Sequence, residues 1–494
     1  MSTTLKEVGI VVAALLAAAV VLAPVARARA AAMAGALVLT PVLLVAEIWD
    51  TPQLDPIRSR PALAAAAAAA GLVAVAVGAW AIDRRPSLLA VGAVLALPFR
   101  VPIESGGQSA NLLVPLYFVV AAGAVAFAVP RLRGRRPARE DAPRGALEYL
   151  LVGAVVLYAV QASYSGDFTK ALEQVVFFYV PFALLYALLV SLDWTPALAR
   201  RCLYVLVGLA LVFSAVGFFE YATRRILLNP DVVASNQFQT YFRVNSLFFD
   251  PNIFGRFLVV VMIALVAVLL WGARRRTEWL VTAALAVLFG GLVLTLSQSS
   301  LAALLTGLVV LAALRWNPRW TIATVAAVVA VAGAAAFAFP GALRVNLGSG
   351  KSVDKATSGR AELLKGGVRL FADRPVYGWG SGAFSREFRR AEHVSGEKAA
   401  DASHTIPVTV GAEQGAIGLA LYLALLGAAF ARLLAGARAS PVRAAAVAAF
   451  TGLVVHTLLY AAFLEDPLTW TLLAVGTAFA LRAPPPEPAP DAVA

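Results

Sequence analysis

Cysteine and histidine are nearly missing from this chain of 494 residues, which has one Cys and three His. The single thiol, Cys202, sits in an apolar run and offers neither an internal disulfide nor a thiolate metal cluster. His393, His404 and His456 show no zinc spacing, so no metal is expected. Charge is scarce too, at 14% of residues, against roughly 25% in soluble domains. Acidic groups are the scarcer kind: 28 Asp and Glu against 41 Lys and Arg leave a net charge of +13. In a soluble protein that excess would point to nucleic acid. Here most of it falls in short loops between apolar runs, which is a membrane topology signal, so no nucleic-acid partner is expected.

What the chain does have is apolar length. Hydrophobic residues make up 61% of it and mean hydropathy is +0.80. A soluble fold would lack the polar surface to cover such a core. A spanning helix needs roughly 20 mostly apolar residues. Fifteen runs qualify: 8–25, 31–49, 62–82, 87–103, 111–130, 146–163, 172–192, 199–220, 253–271, 279–296, 299–315, 320–339, 406–432, 441–463 and 467–482. The first resembles a signal peptide, with Ala-Arg-Ala at 28–30 as a cleavage site. Its apolar core exceeds the usual length of about 7–15 residues, so an uncleaved span is expected. The fold expected is all-α, a polytopic membrane bundle of 12–15 spans.

The loop 131–144 carries six arginines and is assigned to the cytoplasm. Alternation then puts Arg84/Arg85, Arg200/Arg201, Arg274–Arg276, Arg315/Arg319 and Arg432/Arg438/Arg443 on the same side. The loops 164–171, 221–252 and 340–405 fall outside, with the turns at Ser297 and Glu465–Asp466. The long loop 340–405 holds eleven Lys/Arg and seven Asp/Glu. Long loops translocate regardless of charge, so its excess needs another reason, such as an anionic ligand. Three regions follow: N-terminal spans at 1–230, a second membrane region at 231–482, and a Pro-rich tail at 483–494 that reads as disordered.

Polar residues gather at the expected outer ends. Asp250-Pro251-Asn252 is a helix start, with Asp as cap and Pro in the first turn. Arg243 lies seven residues upstream. Ser297-Gln298-Ser299-Ser300 is a polar turn between two spans. In the long loop, Gly359-Arg360 opens an amphipathic segment with Leu364, Val368 and Phe371 on one face and Lys365 and Arg369 on another, as in a helix lying on a membrane surface. Gly378-Trp379-Gly380-Ser381-Gly382 then reads either as plain turn chemistry or as a loop whose N–H groups approach a phosphate. His404 stands at the mouth of the next span. Glu413, about two turns inside it, is a functional candidate because a buried charge there is costly. His456, within an apolar run, reads as a buried group bonding helix to helix.

In this order, these elements resemble the O-antigen ligase and polymerase superfamily of bacterial envelope glycosyltransferases. The resemblance covers roughly residues 240–420: an Arg before Asp-Pro-Asn, a Ser-rich turn, a Gly-Arg amphipathic segment, Gly-X-Gly-X-Gly, and a His followed by Glu-X-Gly-X-X-Gly. It implies a GT-C-like bundle in the bacterial inner membrane, with an extracytoplasmic site and short amphipathic helices in the outer loop. It implies inverting transfer of a glycan from undecaprenyl diphosphate to a hydroxyl of lipid A–core or of another glycan. No cofactor, metal or nucleotide sugar is implied. Arg243 and Arg360 correspond to the arginines that hold the diphosphate, and His404 to the base or acceptor-positioning group. Asn252, Ser297, Gln298, Arg369, Gly380 and Glu413 are the expected substrate contacts. Two positions depart from the family pattern: Gln298 stands where Arg is frequent, which removes a phosphate contact, and Thr405 stands where Asn is usual.

The residue chemistry agrees with this independently. A lipid diphosphate leaving group needs cations, and the planar guanidinium fork of Arg matches phosphate oxygens. A His near neutrality suits removal of a hydroxyl proton. Two alternatives stand beside ligation: a polymerase on the same fold, and a non-catalytic lipid or polysaccharide transporter. Transporters tend to place ionisable groups near the bilayer midplane and to show repeated halves, and neither is visible in this sequence.

Overall fold

The computed structural model describes residues 3–49, 55–105, 108–134, 144–227, 242–272, 274–316, 318–319, 321, 360–393, 405–460 and 462–481. They form a helical bundle in which twelve helices are long and apolar enough to cross a membrane. The N-terminal part comprises α1 (Thr3–Leu22), α2 (Ala26–Ile48), α3 (Asp55–Ser59), α4 (Pro61–Arg84), α5 (Ser87–Ala96), α6 (Val114–Leu132), α7 (Ala146–Gln161), α8 (Phe168–Gln174) and α9 (Val180–Val190). A π-turn, Val175–Tyr179, joins α8 to α9 into one span. The rest comprises α10 (Pro196–Thr223), α11 (Pro251–Leu270), α12 (Arg275–Thr295), α13 (Gln298–Arg315), α14 (Arg360–Asp373), α15 (Phe384–Glu392), α16 (Ile406–Leu434), α17 (Pro441–Leu459) and α18 (Pro467–Ala480).

Twelve of the fifteen expected spans appear as long helices, and the run 467–482 appears as the shorter α18. The run 320–339 lies outside the described residues. The run 87–103 is corrected. Its helix, α5, stops at Ala96, and a two-stranded antiparallel hairpin follows, β1 (Val101–Ser105) and β2 (Gln108–Leu112). Ten helical residues rise about 15 Å, roughly half a hydrocarbon core of ~30 Å. Pro98 and the polar stretch around Arg100 end the helix there.

The bundle has two chemically different ends. At one end, Lys6 meets Glu47 at 2.8 Å, Thr169 meets Glu47 at 2.8 Å, and Ser165 donates to the Ser381 carbonyl at 2.7 Å. At the other, Arg432 pairs with the fully buried Glu148 at 3.2 Å, and Arg27 donates to the Arg131 carbonyl at 3.4 Å. The helix directions put the described basic clusters named above at this second, arginine-rich end. The core is apolar and centred on α11, which packs against α12, α13 and α17. A Cβ on Gly452 of α17 would sit 2.8 Å from the Ala303 carbonyl of α13. That close helix approach, of the kind small residues permit in membranes, brings the N-terminus of α13 beside the C-terminal turn of α17.

In the long loop, α14 packs on the protein with a face beside the one expected to lie on a membrane surface. Leu363 and Leu370 pack on Phe384, Phe388 and Ala412, while Leu364 and Val368 are exposed. The helices α15 and α16 cover the Leu363 side, and the Leu364/Val368 strip is left facing outward.

Candidate functional site

Arg243 is held by a loop that the sequence pins down. Ser246 occupies the left-handed region (φ 53°), uncommon for a residue with a side chain. Its N–H donates to Glu220 at 2.8 Å and its hydroxyl donates to the Phe213 carbonyl at 2.8 Å. The Val244 N–H donates to the Leu294 carbonyl at 3.2 Å. These ties fix the approach to Asp250, whose carboxylate caps α11 by accepting from the Asn252 N–H at 2.6 Å. Arg243 therefore reaches two elements at once. Its Nε donates to the Thr295 carbonyl at 2.9 Å, and its Nη2 donates to Asn252 Oδ1 at 3.3 Å.

From Asn252 a buried polar chain runs across three helices. The Ser297 hydroxyl donates to Asn252 Oδ1 at 2.8 Å and lies 3.1 Å from the Ser299 and 2.8 Å from the Ser300 hydroxyl. Both latter serines sit 3.2 Å from Nε2 of His456. On the other edge of that ring, Nδ1 receives Arg256 Nε at 3.2 Å and Nη2 at 3.1 Å. A guanidinium only donates, so Nδ1 must accept, and the ring proton resides on Nε2, facing the serines. This tautomer follows from the hydrogen-bond network. Arg256 completes its coordination with the Ala462 carbonyl at 3.2 Å and an ion pair to the buried Asp466, which caps α18. His456, Ser297, Ser299 and Ser300 are all nearly fully buried. The expected helix-to-helix role of His456 is therefore observed.

Charged groups of both signs meet at this end. Arg100 lies within reach of Asp466, Arg256, Tyr460 and Tyr117. Burial pulls its pKa below the usual guanidinium value; Arg256 adds to the fall and Asp466 opposes it. Burial likewise pushes the Tyr460 hydroxyl up, and the neighbouring Asp250 adds to that rise. Arg243 and Arg256 are thus joined by one hydrogen-bonded chain near the starts of α11, α13 and α18, with Arg256 neutralised by Asp466 and Arg100 in the field of both. The partial positive charge of the α11 and α18 N-termini is met by the capping carboxylates of Asp250 and Asp466.

Of the residues expected from sequence, Arg243, Asn252 and Ser297 meet in this network. Gln298 points out and is exposed. Arg369, mostly exposed, is tied to Glu392 at 2.8 Å. Arg360 is the first residue of α14, and its side chain lies outside the described set. His404 also lies outside the described residues. Its neighbour Thr405 donates to the Leu458 carbonyl at 3.1 Å, two residues beyond His456. Arg100, Arg256 and Asp466 were not among the site residues expected from sequence. The signal for Arg256 was available, since a charge inside an apolar run is functional by default.

Gly380 and Glu413 form a separate joint. The α16 helix breaks at Gly415 (φ +66°), and the glycine-rich turn docks into the break. The Gly380 N–H donates to the Glu413 carbonyl at 2.8 Å, and the Trp379 N–H to the Ala412 carbonyl at 3.1 Å. The Glu413 carboxylate accepts the N–H groups of Gly382 at 2.9 Å and Phe384 at 3.1 Å. The donors expected to approach a phosphate are thus used inside the protein, because the broken helix presents acceptors to them. The turn-chemistry reading describes this segment.

Among the described residues no three His, Cys, Asp or Glu gather as metal ligands. Residues 283–423 match a family model described as O-antigen ligase. That stretch contains the Ser297 turn, α14, α15 and the break in α16. No curated protein matches the chain.

Proposed function

We propose that this chain, whose residues 283–423 belong to the O-antigen ligase and polymerase superfamily, transfers a glycan from undecaprenyl diphosphate to an acceptor hydroxyl on the extracytoplasmic face. The observation that carries this reading is the hydrogen-bonded chain that joins Arg243 to Arg256 through Asn252, the serine turn and His456 at one end of the bundle. The positive-inside rule assigns the arginine-rich end to the cytoplasm and so leaves this end outside.

In the proposed reaction the acceptor oxygen attacks the anomeric carbon from the face opposite the diphosphate. The bond from that carbon to the diphosphate oxygen breaks, and the lipid diphosphate leaves with the electron pair. The configuration inverts. The acceptor proton passes to His404. Arg243 and Arg360 meet the charge that develops on the leaving group. Arg256 and Arg100 act through the local field, which is strong where water is excluded. Asn252 and Ser297 fix the orientation of Arg243. General-base help is worth about 10²–10⁴-fold, and one well-placed charge-stabilising group about 10²–10³-fold. The arginines therefore matter as much as the base.

Purified protein given a lipid-linked donor, an acceptor, excess chelator and no nucleotide is expected to transfer. Arg243→Ala is expected to lower turnover by roughly 10²–10³-fold, with Arg243→Lys retaining an intermediate rate. Full activity in Arg243→Ala, with unchanged thermal stability, overturns the diphosphate assignment. Strict dependence on Mg²⁺ or a nucleotide sugar points to another enzyme class. Donor alone separates the two family activities: a polymerase lengthens its glycan, whereas a ligase needs the second acceptor.

A further inference from the structure

At the arginine-rich end, far along the helices from the network above, a cavity of about 830 Å³ opens between α1, α2, α4, α5, α6, α9, α10 and α18. None of its walls falls within residues 283–423. Its charged lining is Arg29, Arg131, Arg201, Asp83 and Asp193. Three arginines against two aspartates leave a net positive charge. The Phe127 ring gathers two of them, with Arg131 3.7 Å and Arg29 5.7 Å from its centroid, a geometry that holds the cations against the apolar wall. Arg29 is buried and Arg201 is exposed. The remaining wall is mostly aliphatic, including Val20, Leu188 and Leu481.

We propose that this cavity is a binding site for the headgroup of an anionic phospholipid of the cytoplasmic leaflet. The volume is that of a small-molecule site. The positive-inside rule places the cavity at the cytoplasmic headgroup level, where basic pockets between spanning helices hold anionic lipids. The phosphate sits among the three guanidinium groups. The two carboxylates select a headgroup that still offers hydroxyl donors, such as the glycerol of phosphatidylglycerol. The acyl chains follow the aliphatic wall. A bound lipid then bridges α2, α6 and α10, which meet around the cavity.

The test uses the full chain in detergent, with native mass spectrometry of lipid retained after delipidation and titration. Phosphatidylglycerol is expected to bind at one copy per chain, and phosphatidylcholine more weakly. Arg201→Gln is expected to lower phosphatidylglycerol affinity about fivefold, and Arg131→Gln with Arg201→Gln about 25-fold, from the usual contribution of one basic residue near an anionic surface. Arg201→Lys retains most of the affinity. Because Arg201 is exposed, its variants are expected to keep the parent thermal stability. Equal retention of the two lipids, or a double variant that binds as the parent does, overturns the proposal. Displacement of phosphatidylglycerol by millimolar inorganic phosphate also overturns it, because it assigns the cavity to a soluble anion. Glycan transfer is not the readout, so failure here leaves the proposed reaction untouched.

Discussion

At the scale of single residues, His456 is informative because its ring is read by two different chemistries at once. Arg256 supplies only donors on the Nδ1 side, and the serine hydroxyls complete the Nε2 side. Protonating Nδ1 would set two cations against each other in a buried site. The neutral ring is therefore a fixed part of the scaffold that aligns Arg256, and a proton shuttle is sought elsewhere, at His404. His456→Leu leaves the Arg256 donors and the serine hydroxyls short of a partner. A buried unsatisfied group costs about 1–3 kcal/mol, so the melting temperature in detergent should fall. His456→Gln offers an amide oxygen to Arg256 and an amide N–H to the serines, and should recover much of the loss. Equal stability of the two variants would mean that the ring's two-sided bonding is not what matters. The sequence makes half of this network legible. Asp250, Asn252 and Ser297 carry helix-start chemistry, and Arg243 stands conspicuously before them. The other half depends on pairings such as Arg256 with His456 and Asp466, 200 and 210 positions apart, which no local pattern encodes.

At the scale of elements, the joint between the glycine-rich turn and the broken α16 sets how the loop helices sit on the bundle. Gly378 and Gly415 both have φ in the left-handed region, at +68° and +66°. A Cβ on Gly378 would lie 2.3 Å from the Glu413 carbonyl oxygen, and one on Gly415 would lie 2.3 Å from that of Val376. Backbone cannot yield as a side-chain tip does, so either substitution to Ala should part the two segments. Left-handed strain alone is worth roughly 1–2 kcal/mol. Gly378→Ala and Gly415→Ala are each expected to speed tryptic cleavage at Arg386, Arg389 and Arg390, while Gly71→Ala, which meets open space, leaves it unchanged. Cleavage at the parent rate in both would show that the joint tolerates separation. The sequence announced the turn at Gly378–Gly382 but left two readings of it open. Only the position of the α16 break decides that the turn's donors face protein carbonyls. The protein-side partner of α14 was hidden for a similar reason. Leu363, Leu364, Val368 and Leu370 are all apolar, and packing on Phe384 and Phe388 selects among them.

For the whole molecule, long apolar runs made the spans readable, because a bilayer demands a length that few other constraints impose. The run 87–103 misled for a physical reason: hydropathy is an average, whereas Pro98 and Arg100 act at single positions and end the helix. The remaining global question is which end faces out, and charge distribution gives opposing indications. The short loops at one end are arginine-rich, yet the long loop at the other is basic as well. Translocation of long loops is insensitive to charge, so the short loops decide, and the Arg243 network is assigned to the outside. The lone cysteine makes this measurable, since Cys202 is buried and offers little background to a thiol reagent. Tyr377 at the network's end and Trp316 at the arginine-rich end are 56% and 59% exposed. With a membrane-impermeant maleimide, Tyr377→Cys should label in intact cells or right-side-out vesicles, and Trp316→Cys only after permeabilisation. The opposite pattern would put the Arg243 network in the cytoplasm. A diphosphate-linked glycan presented on the outer face would then be out of its reach, and the phospholipid cavity would face the wrong leaflet.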